Sequence, residues 1–307
     1  MRPPLSKRIR LAAGSAAALT GVLVTVTLGP GIAEAKPKGK GRIAVKTRTA
    51  TDFSSSHASL LSVVATCPKR RTALGGGYSS GLLAAGVDLD VHLVYESRRL
   101  DHRRWIVSGG RIDTDGAGNP LPLTAYARCG KPKRGKLRLS SVSASVPLLP
   151  GAVSSATTSA RCPGKRQVLS GGFSSSPPPA LASTEIGFVT ESRRTAVRRW
   201  TVTAGQFSPT TRTLTVSAYC ARMKKPRVRS SSAFLAGAAR STAALDTPRC
   251  PRRRPLAAAG FYTTVASLSG SAAEFIASTP SGRRGHLLAL QGVMGSGASV
   301  TAHAYCL

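Results

Sequence analysis

The feature that most constrains this chain is a pattern of residues that occurs three times along it. Cys67-Pro68-Lys69-Arg70-Arg71 leads through Leu74 to Gly76-Gly77-Tyr78-Ser79-Ser80. Cys162-Pro163-Gly164-Lys165-Arg166 leads, without a gap, through Leu169 to Gly171-Gly172-Phe173-Ser174-Ser175, and Cys250-Pro251-Arg252-Arg253-Arg254 leads to Gly260-Phe261-Tyr262-Thr263. Further on, Glu96-Ser97-Arg98-Arg99 with Arg103-Arg104-Trp105 matches Glu191-Ser192-Arg193-Arg194 with Arg198-Arg199-Trp200. In the third copy Ser278 and Arg283-Arg284 remain, Ala259 stands for one glycine of the pair, and His286 is read in place of the tryptophan. Each copy closes alike, with Leu123-Thr124 to Cys129, Leu214-Thr215 to Cys220 and Val300-Thr301 to Cys306. So many anchors in register mark a repeated structural unit.

Inside each copy the apolar period is two. Leu214, Val216, Ala218 and Cys220 alternate with Thr215, Ser217 and Tyr219, and Val300, Ala302, Ala304 and Cys306 follow the same rule. That alternation belongs to half-buried antiparallel strands. Val168 to Phe173, Ile186 to Val189 and Trp200 to Val202 read as further strands between Gly, Pro and Ser punctuation. The paired glycines suit a bulge or a close approach of two backbones. The expected fold class is therefore all-β: three tandem repeats, each a small antiparallel sandwich or barrel with one internal disulfide. The segments are a signal peptide over 1–35, a basic tail over 36–42, and β-repeats over 43–130, 131–221 and 222–307. Basic, proline-bearing stretches, Lys131 to Lys136 and Arg222 to Arg227, form the joints. Whether the repeats stand as separate beads or share one pseudo-threefold core is left open by the pattern.

The six cysteines fall two to a copy, 62, 58 and 56 residues apart. Of the pairings that six cysteines allow, one treats the copies alike and keeps each self-contained: Cys67–Cys129, Cys162–Cys220 and Cys250–Cys306. Each loop restrains the unfolded chain by roughly 4 kcal/mol in the chain-entropy account. The spacing, with no C-x-x-C and no histidine repeating beside it, is not that of zinc ligands.

Export agrees with disulfides. Arg2, Lys7, Arg8 and Arg10 precede an apolar run from Leu11 to Leu28, and Ala33-Glu34-Ala35 offers a cleavage site, which is the secretory signal pattern. No transmembrane segment is expected after cleavage, because no later stretch is long and apolar enough. The chain is also strongly basic, with 44 Lys and Arg against 12 Asp and Glu and a formal net charge of +32. A GC-rich genome raises Arg, Ala, Gly and Pro, but Asp and Glu have GC-rich codons too and are scarce. The basicity is thus read as selected, and it attracts polyanions at moderate ionic strength.

The Cys-Pro start with its basic residues, the Gly-Gly-aromatic step, the mid-repeat tryptophan and the Ala-x-Cys closing strand together resemble a module of exported actinobacterial proteins. Those proteins mostly have no assigned function, so the resemblance implies a fold and a location outside the cell more than an activity.

Chemical motifs are few. Gly77-Tyr78-Ser79-Ser80-Gly81 has the form of a hydrolase nucleophile elbow, but that chemistry needs a strand-to-helix turn in a parallel sheet. The second copy reads Gly172-Phe173-Ser174-Ser175-Ser176, so the motif belongs to the repeat. Asp88, Asp90 and His92 alternate and could hold a divalent cation from one face of a strand. The plainer reading is a solvated face, since copies two and three offer Glu185 and Ser271 at the middle position and no full set. Glu96 and Glu191 are equivalents, each beside an Arg-Arg pair, and no histidine repeats to serve as a base.

One repeated feature is chemically pointed. Arg98, Arg99, Arg103 and Arg104 in copy one, Arg193, Arg194, Arg198 and Arg199 in copy two, and Arg283 and Arg284 in copy three cluster about an expected hairpin. Guanidinium forks suit phosphate and carboxylate, and linked weak sites gain avidity. Aromatics are few and mostly tied to repeat positions, leaving little for stacking on bases or sugars. The expectation is a secreted, extracellular or wall-associated protein, not an enzyme and without metal or cofactor, holding an anionic cell-envelope polymer. Nucleic acid would bind it only non-specifically. The alternative is a structural or adhesion module that contacts protein or glycan.

Overall fold

The computed structural model describes residues 43–54, 59–85, 88–113, 119–131, 138–176, 186–223, 225–237, 241–263, 273–291 and 297–307. The expected signal peptide and basic tail lie outside them. Among the described residues there is no helix; every element is a strand. Repeat one supplies β1 (Val45–Ser54), β2 (Leu60–Thr66), β3 (Thr72–Ser80), the short β4 (Leu82–Ala85), β5 (Asp88–Arg99), β6 (Arg104–Asp113) and β7 (Leu121–Gly130). Repeat two supplies β8 (Ser140–Leu148), β9 (Gly151–Arg161), β10 (Gln167–Ser176), β11 (Ile186–Ala196), β12 (Arg199–Ser208) and β13 (Arg212–Ala221). Repeat three supplies β14 (Arg227–Leu235), β15 (Thr242–Asp246), β16 (Leu256–Thr263), β17 (Ala273–Ser281), β18 (Arg284–Gln291) and β19 (Ala298–Cys306).

The repeats do not stand as beads. Three antiparallel sheets run β1-β7-β3-β17-β18-β15, β2-β6-β5-β10-β13-β8 and β14-β19-β16-β11-β12-β9, with β4 beside β5. Each repeat gives its first, third and last strands to one sheet and its second strand and long hairpin to the next. Every sheet is therefore half one repeat and half its neighbour, and the exchange closes in a ring: repeat one with two, two with three, three with one. At each seam the strands pair over two residues only, Ser97 and Glu96 with Phe173 and Ser174, Ser192 and Glu191 with Phe261 and Tyr262, Ser278 and Ala277 with Tyr78 and Ser79. One buried apolar cluster takes in residues of all three repeats, which all belong to one compact unit.

The Gly-Gly-aromatic step explains this closure. The aromatic residues meet where the three repeats converge, with Tyr78 edge-on to both Phe173 and Phe261 at centroid distances of 6.4 Å. The second glycine of each pair lies under a seam strand. A Cβ on Gly172 would stand 2.5 Å from the Ser97 carbonyl oxygen and one on Gly260 2.7 Å from that of Ser192, while one on Gly77 would overlap that of Ser278. The neighbour's backbone occupies the space that any side chain would need.

The first glycine serves the tryptophan. Trp105 lies against Gly76 and Trp200 against Gly171, closer than a Cβ would allow. Each indole N–H donates to a seam serine, Ser97 at 3.1 Å and Ser192 at 3.2 Å. Each ring also meets the closing tyrosine of the next repeat, Tyr219 at 5.8 Å and Tyr305 at 5.3 Å. The third copy corrects the sequence reading. Arg283 hydrogen-bonds Cys250 as Arg103 does Cys67, so Gly285, not His286, holds the tryptophan position. Its facing residue is Ala259, and the residue of repeat one at the closing-tyrosine position is Arg128. That guanidinium is buried and donates to the Leu256 carbonyl through Nε and Nη2, at 3.1 and 3.0 Å, and to that of Gly282 at 3.2 Å.

The disulfides are the expected three, Cys67–Cys129, Cys162–Cys220 and Cys250–Cys306, with Cα separations of 5.5, 5.6 and 5.6 Å. The first cysteine of each follows a strand of one sheet and the second lies on a strand of another. Each bridge is thus internal to its repeat and ties two sheets together. Disulfides fit an oxidising compartment, and no helix among the described residues is long and apolar enough to cross a membrane.

Candidate functional site

The strand order decides where charge collects. The three Cys-Pro loops, the long-hairpin turns and the starts of β1, β8 and β14 all fall at the end of the molecule where β7, β13 and β19 finish. The three sheets converge there, since Val45, Leu74, Leu169, Ala221 and Ala257 form one buried cluster. The repeated basic runs belong to these loops, so they share this end. Lys69 and Arg70, Lys165, and Arg252 and Arg253 are exposed on the Cys-Pro loops, and Arg104 and Arg199 are exposed at the hairpins. Lys131, Arg222, Lys225, Arg227 and Arg229 are exposed about the joints. Among the described residues, the Lys and Arg toward the opposite end are Arg111 and Arg212, both buried.

The hairpin arginines divide by position. Arg98 and Arg193 donate to Glu96 and Glu191 at 2.7 and 2.6 Å, and the second carboxylate oxygens accept from Ser108 and Thr203. Arg193 also covers Tyr262 at 4.2 Å. Arg99 and Arg194 lie over Tyr219 and Tyr305 at 4.6 and 5.2 Å, their backbone N–H groups donating to the phenol oxygens. Burial lowers both guanidinium pKa values and raises those of the two phenols. Arg103, Arg198 and Arg283 each donate to the carbonyl of their repeat's first cysteine. Arg104 pairs with Asp101 at 2.6 Å and Arg284 with Asp246 at 3.4 Å, while Arg199 is exposed. Three of the four repeated positions therefore hold turn and seam together, and the fourth faces solvent. Among the described residues the loop and joint cations provide most of the solvent-facing charge.

Asp90 and His92 are not on a solvated face. Both are buried, and Arg111 grips Asp90 through Nε at 2.9 Å and Nη2 at 2.5 Å while donating to the Ser54 carbonyl. His92 Nε2 lies 2.9 Å from the Ser54 hydroxyl. Burial, then the nearby Arg111 charge, lowers its pKa to about 4, so the ring is neutral. Asp90 is committed to an ion pair, the Asp88 side chain is outside the described residues, and no metal-ligating cluster occurs among those described. Ser79 and Ser80 lie in antiparallel β3, with the Ser80 hydroxyl donating to the Gly81 carbonyl and accepting from the His92 N–H. That is not the strand-to-helix turn of a nucleophile elbow.

The cations have one apparent use, attraction of anions. Asp246, which pairs with Arg284, also meets His286 Nδ1 at 3.0 Å. No protein-family model matches the chain, and no curated protein is significantly similar to it.

Proposed function

We propose that this is a secreted, non-enzymatic protein that holds an anionic cell-envelope polymer on its basic end. The observation that carries the reading is the partition of charge: cations exposed at one end, and the described cations toward the other buried. Such a partition focuses the field on one surface and draws a polyanion to it. A chain built for solubility alone gains nothing from gathering its charge on one end. The threefold repetition of the Cys-Pro loops supplies several equivalent weak contacts, which a polymer can occupy together. A phosphate-bearing or teichoic-type polymer suits exposed Arg and Lys better than a neutral glycan, given how few aromatics are free to stack.

The test is retention on isolated cell wall at low and at physiological salt, for the full chain and for a variant with Lys69, Arg70, Lys165, Arg252 and Arg253 changed to Gln. Retention should fall steeply with salt and fall again in the variant. Retention that ignores both salt and the substitutions sinks the reading and favours an adhesion module contacting protein or glycan through its sheet faces.

A further inference from the structure

The first strand of each repeat, β1, β8 or β14, ends a sheet, and across the corner it meets the second strand of its own repeat, β2, β9 or β15. Two of these companions run up to the cysteine, β2 to Thr66 and β9 to Arg161, but β15 stops at Asp246. Repeat three carries one residue more here. Thr247 donates to Gly285 and Cys250 to Arg283, whereas Ala65 and Cys67, one residue closer together, make the same step opposite Trp105 and Arg103. Pro248 and Arg249 turn out to solvent, and the basic end of β14 loses its cover. Arg227, Val228, Arg229 and Ser230 are all exposed, while Thr47 on β1 and Ser140 and Val142 on β8 are partly covered at the matching positions.

The register fixes what this edge offers. Leu307 donates its N–H to Pro255, on the β16 side of β19, so Cys306 and Ala304 turn theirs toward β14. Their partners Arg227 and Arg229 are thereby used in the ladder. Val228 and Ser230 point N–H and C=O away from the sheet, and no strand takes them up among the described residues. Side chains alternate as well. Arg227 and Arg229 share a face with Cys306 and Ala304, and Val228 and Ser230 share the other face with Tyr305 and His303.

We propose that β14 pairs with an extended, acidic segment of a partner protein, which adds a strand beside Val228 and Ser230. Acidic residues at alternate positions of that segment stand beside Arg227 and Arg229, and the residue between them is apolar and lies beside Val228. The edge selects against its other partners. A second copy of this chain would set arginine against arginine, and a neutral strand would gain hydrogen bonds but nothing from the cations. Unlike polymer binding at the same end, this pairing needs a peptide backbone to complete the ladder.

A short synthetic peptide alternating Glu and Val, titrated into the full chain at physiological salt, is the test. It should bind and slow hydrogen exchange at the Val228 and Ser230 amides. Methylating the peptide nitrogens that face β14 keeps every charge and should weaken binding about tenfold. So should Arg227→Gln with Arg229→Gln, and Val228→Pro, which removes an N–H that β19 does not use. Arg252→Gln with Arg253→Gln removes equal charge elsewhere on the same end and should weaken binding about twofold. A methylated peptide that binds as well as its parent reduces the contact to charge attraction and overturns the site, as does absence of binding or of amide protection. Equal losses in the two double variants overturn it too. Should Val228→Pro lower Tm, the methylated peptide and the double variants decide. Failure of the peptide to pair, with salt-sensitive retention on cell wall intact, removes this edge and leaves the polymer reading standing.

Discussion

Two of the three junctions between repeats are built on an indole, and the third is built on a guanidinium. Where repeat one meets two, Trp105 fills the space over Gly76 and carries Tyr219 on its edge; where two meets three, Trp200, Gly171 and Tyr305 repeat the arrangement. Where three closes on one, those positions hold Gly285, Ala259 and Arg128. A Cβ on Gly285 would meet the Ala259 Cβ at 3.4 Å and the His303 carbonyl oxygen at 3.3 Å, so the backbones themselves have closed the gap. Arg128 then satisfies the carbonyls of Leu256 and Gly282, at the strand start and hairpin turn of repeat three. The three substitutions make sense only together. An indole needs a glycine beneath it and an aromatic edge beside it; without the indole, a small residue and a long polar one fill the same volume. The closing junction thus exchanges dispersion for hydrogen bonds, which resist substitution in different ways.

The largest test of that contrast removes the central group of each kind. Trp200→Ala should cost about 3–5 kcal/mol, as large-to-small changes in packed cores do. Arg128→Met, which keeps the stem and leaves the carbonyls unpaired, should cost about 3 kcal/mol. Denaturant titration compares them; a change under about 1 kcal/mol for either variant would mean that its junction is held by something else.

The next test uses pH. His303 lies on β19 where the other repeats have Tyr126 and Ser217, and burial, then the Arg193 charge, lowers its pKa to about 4 from the ordinary 6.5. The unfolded chain therefore takes up the proton first. The stability linked to the neutral ring is whole above about pH 6.5 and is lost as pH falls through about 4. Wild type should lose on the order of 3 kcal/mol more than His303→Ser between pH 7 and pH 4. Matching pH profiles for the two proteins would remove His303 from the account of the third repeat.

The smallest effect sharpens the comparison most. Gly285→Trp alone should destabilise by about 1–3 kcal/mol through overpacking. Combined with Ala259→Gly and Arg128→Tyr, the same tryptophan should recover most of that loss. The recovery is a coupling energy among neighbours. Simple addition of the three single effects would show that the positions do not act as a set.

The correspondence among these positions was partly legible in the chain. The glycine pairs, Trp105 and Trp200, and the cysteine spacing are local or repeat by plain alignment, and they led to strands, three units and the right disulfides. His286 was misread for Gly285 because the conspicuous side chain drew the alignment by one residue, whereas backbone pairing with the Cys-Pro loop settles it. The arginine hairpin was only partly legible for a related reason: a run of cations looks alike whether it faces water or not. Only the neighbours' positions show that Arg99 lies on Tyr219, more than a hundred residues away, and that Arg103 caps the Cys67 carbonyl.

By itself, then, the amino-acid order determined everything set by short-range patterning: the strand period, the triplication, the pairing of cysteines within a copy and the excess of positive charge. The three-dimensional arrangement decided which half-sheet completes which, which end gathers the cations, and which of them remain free to meet an anion. Those are contacts between copies, and motifs shared by all three copies carry no local signal of which neighbour each will join. The ring closes because a second glycine admits a foreign backbone and three aromatic rings need one another for cover. Both conditions are met only when all three units are present.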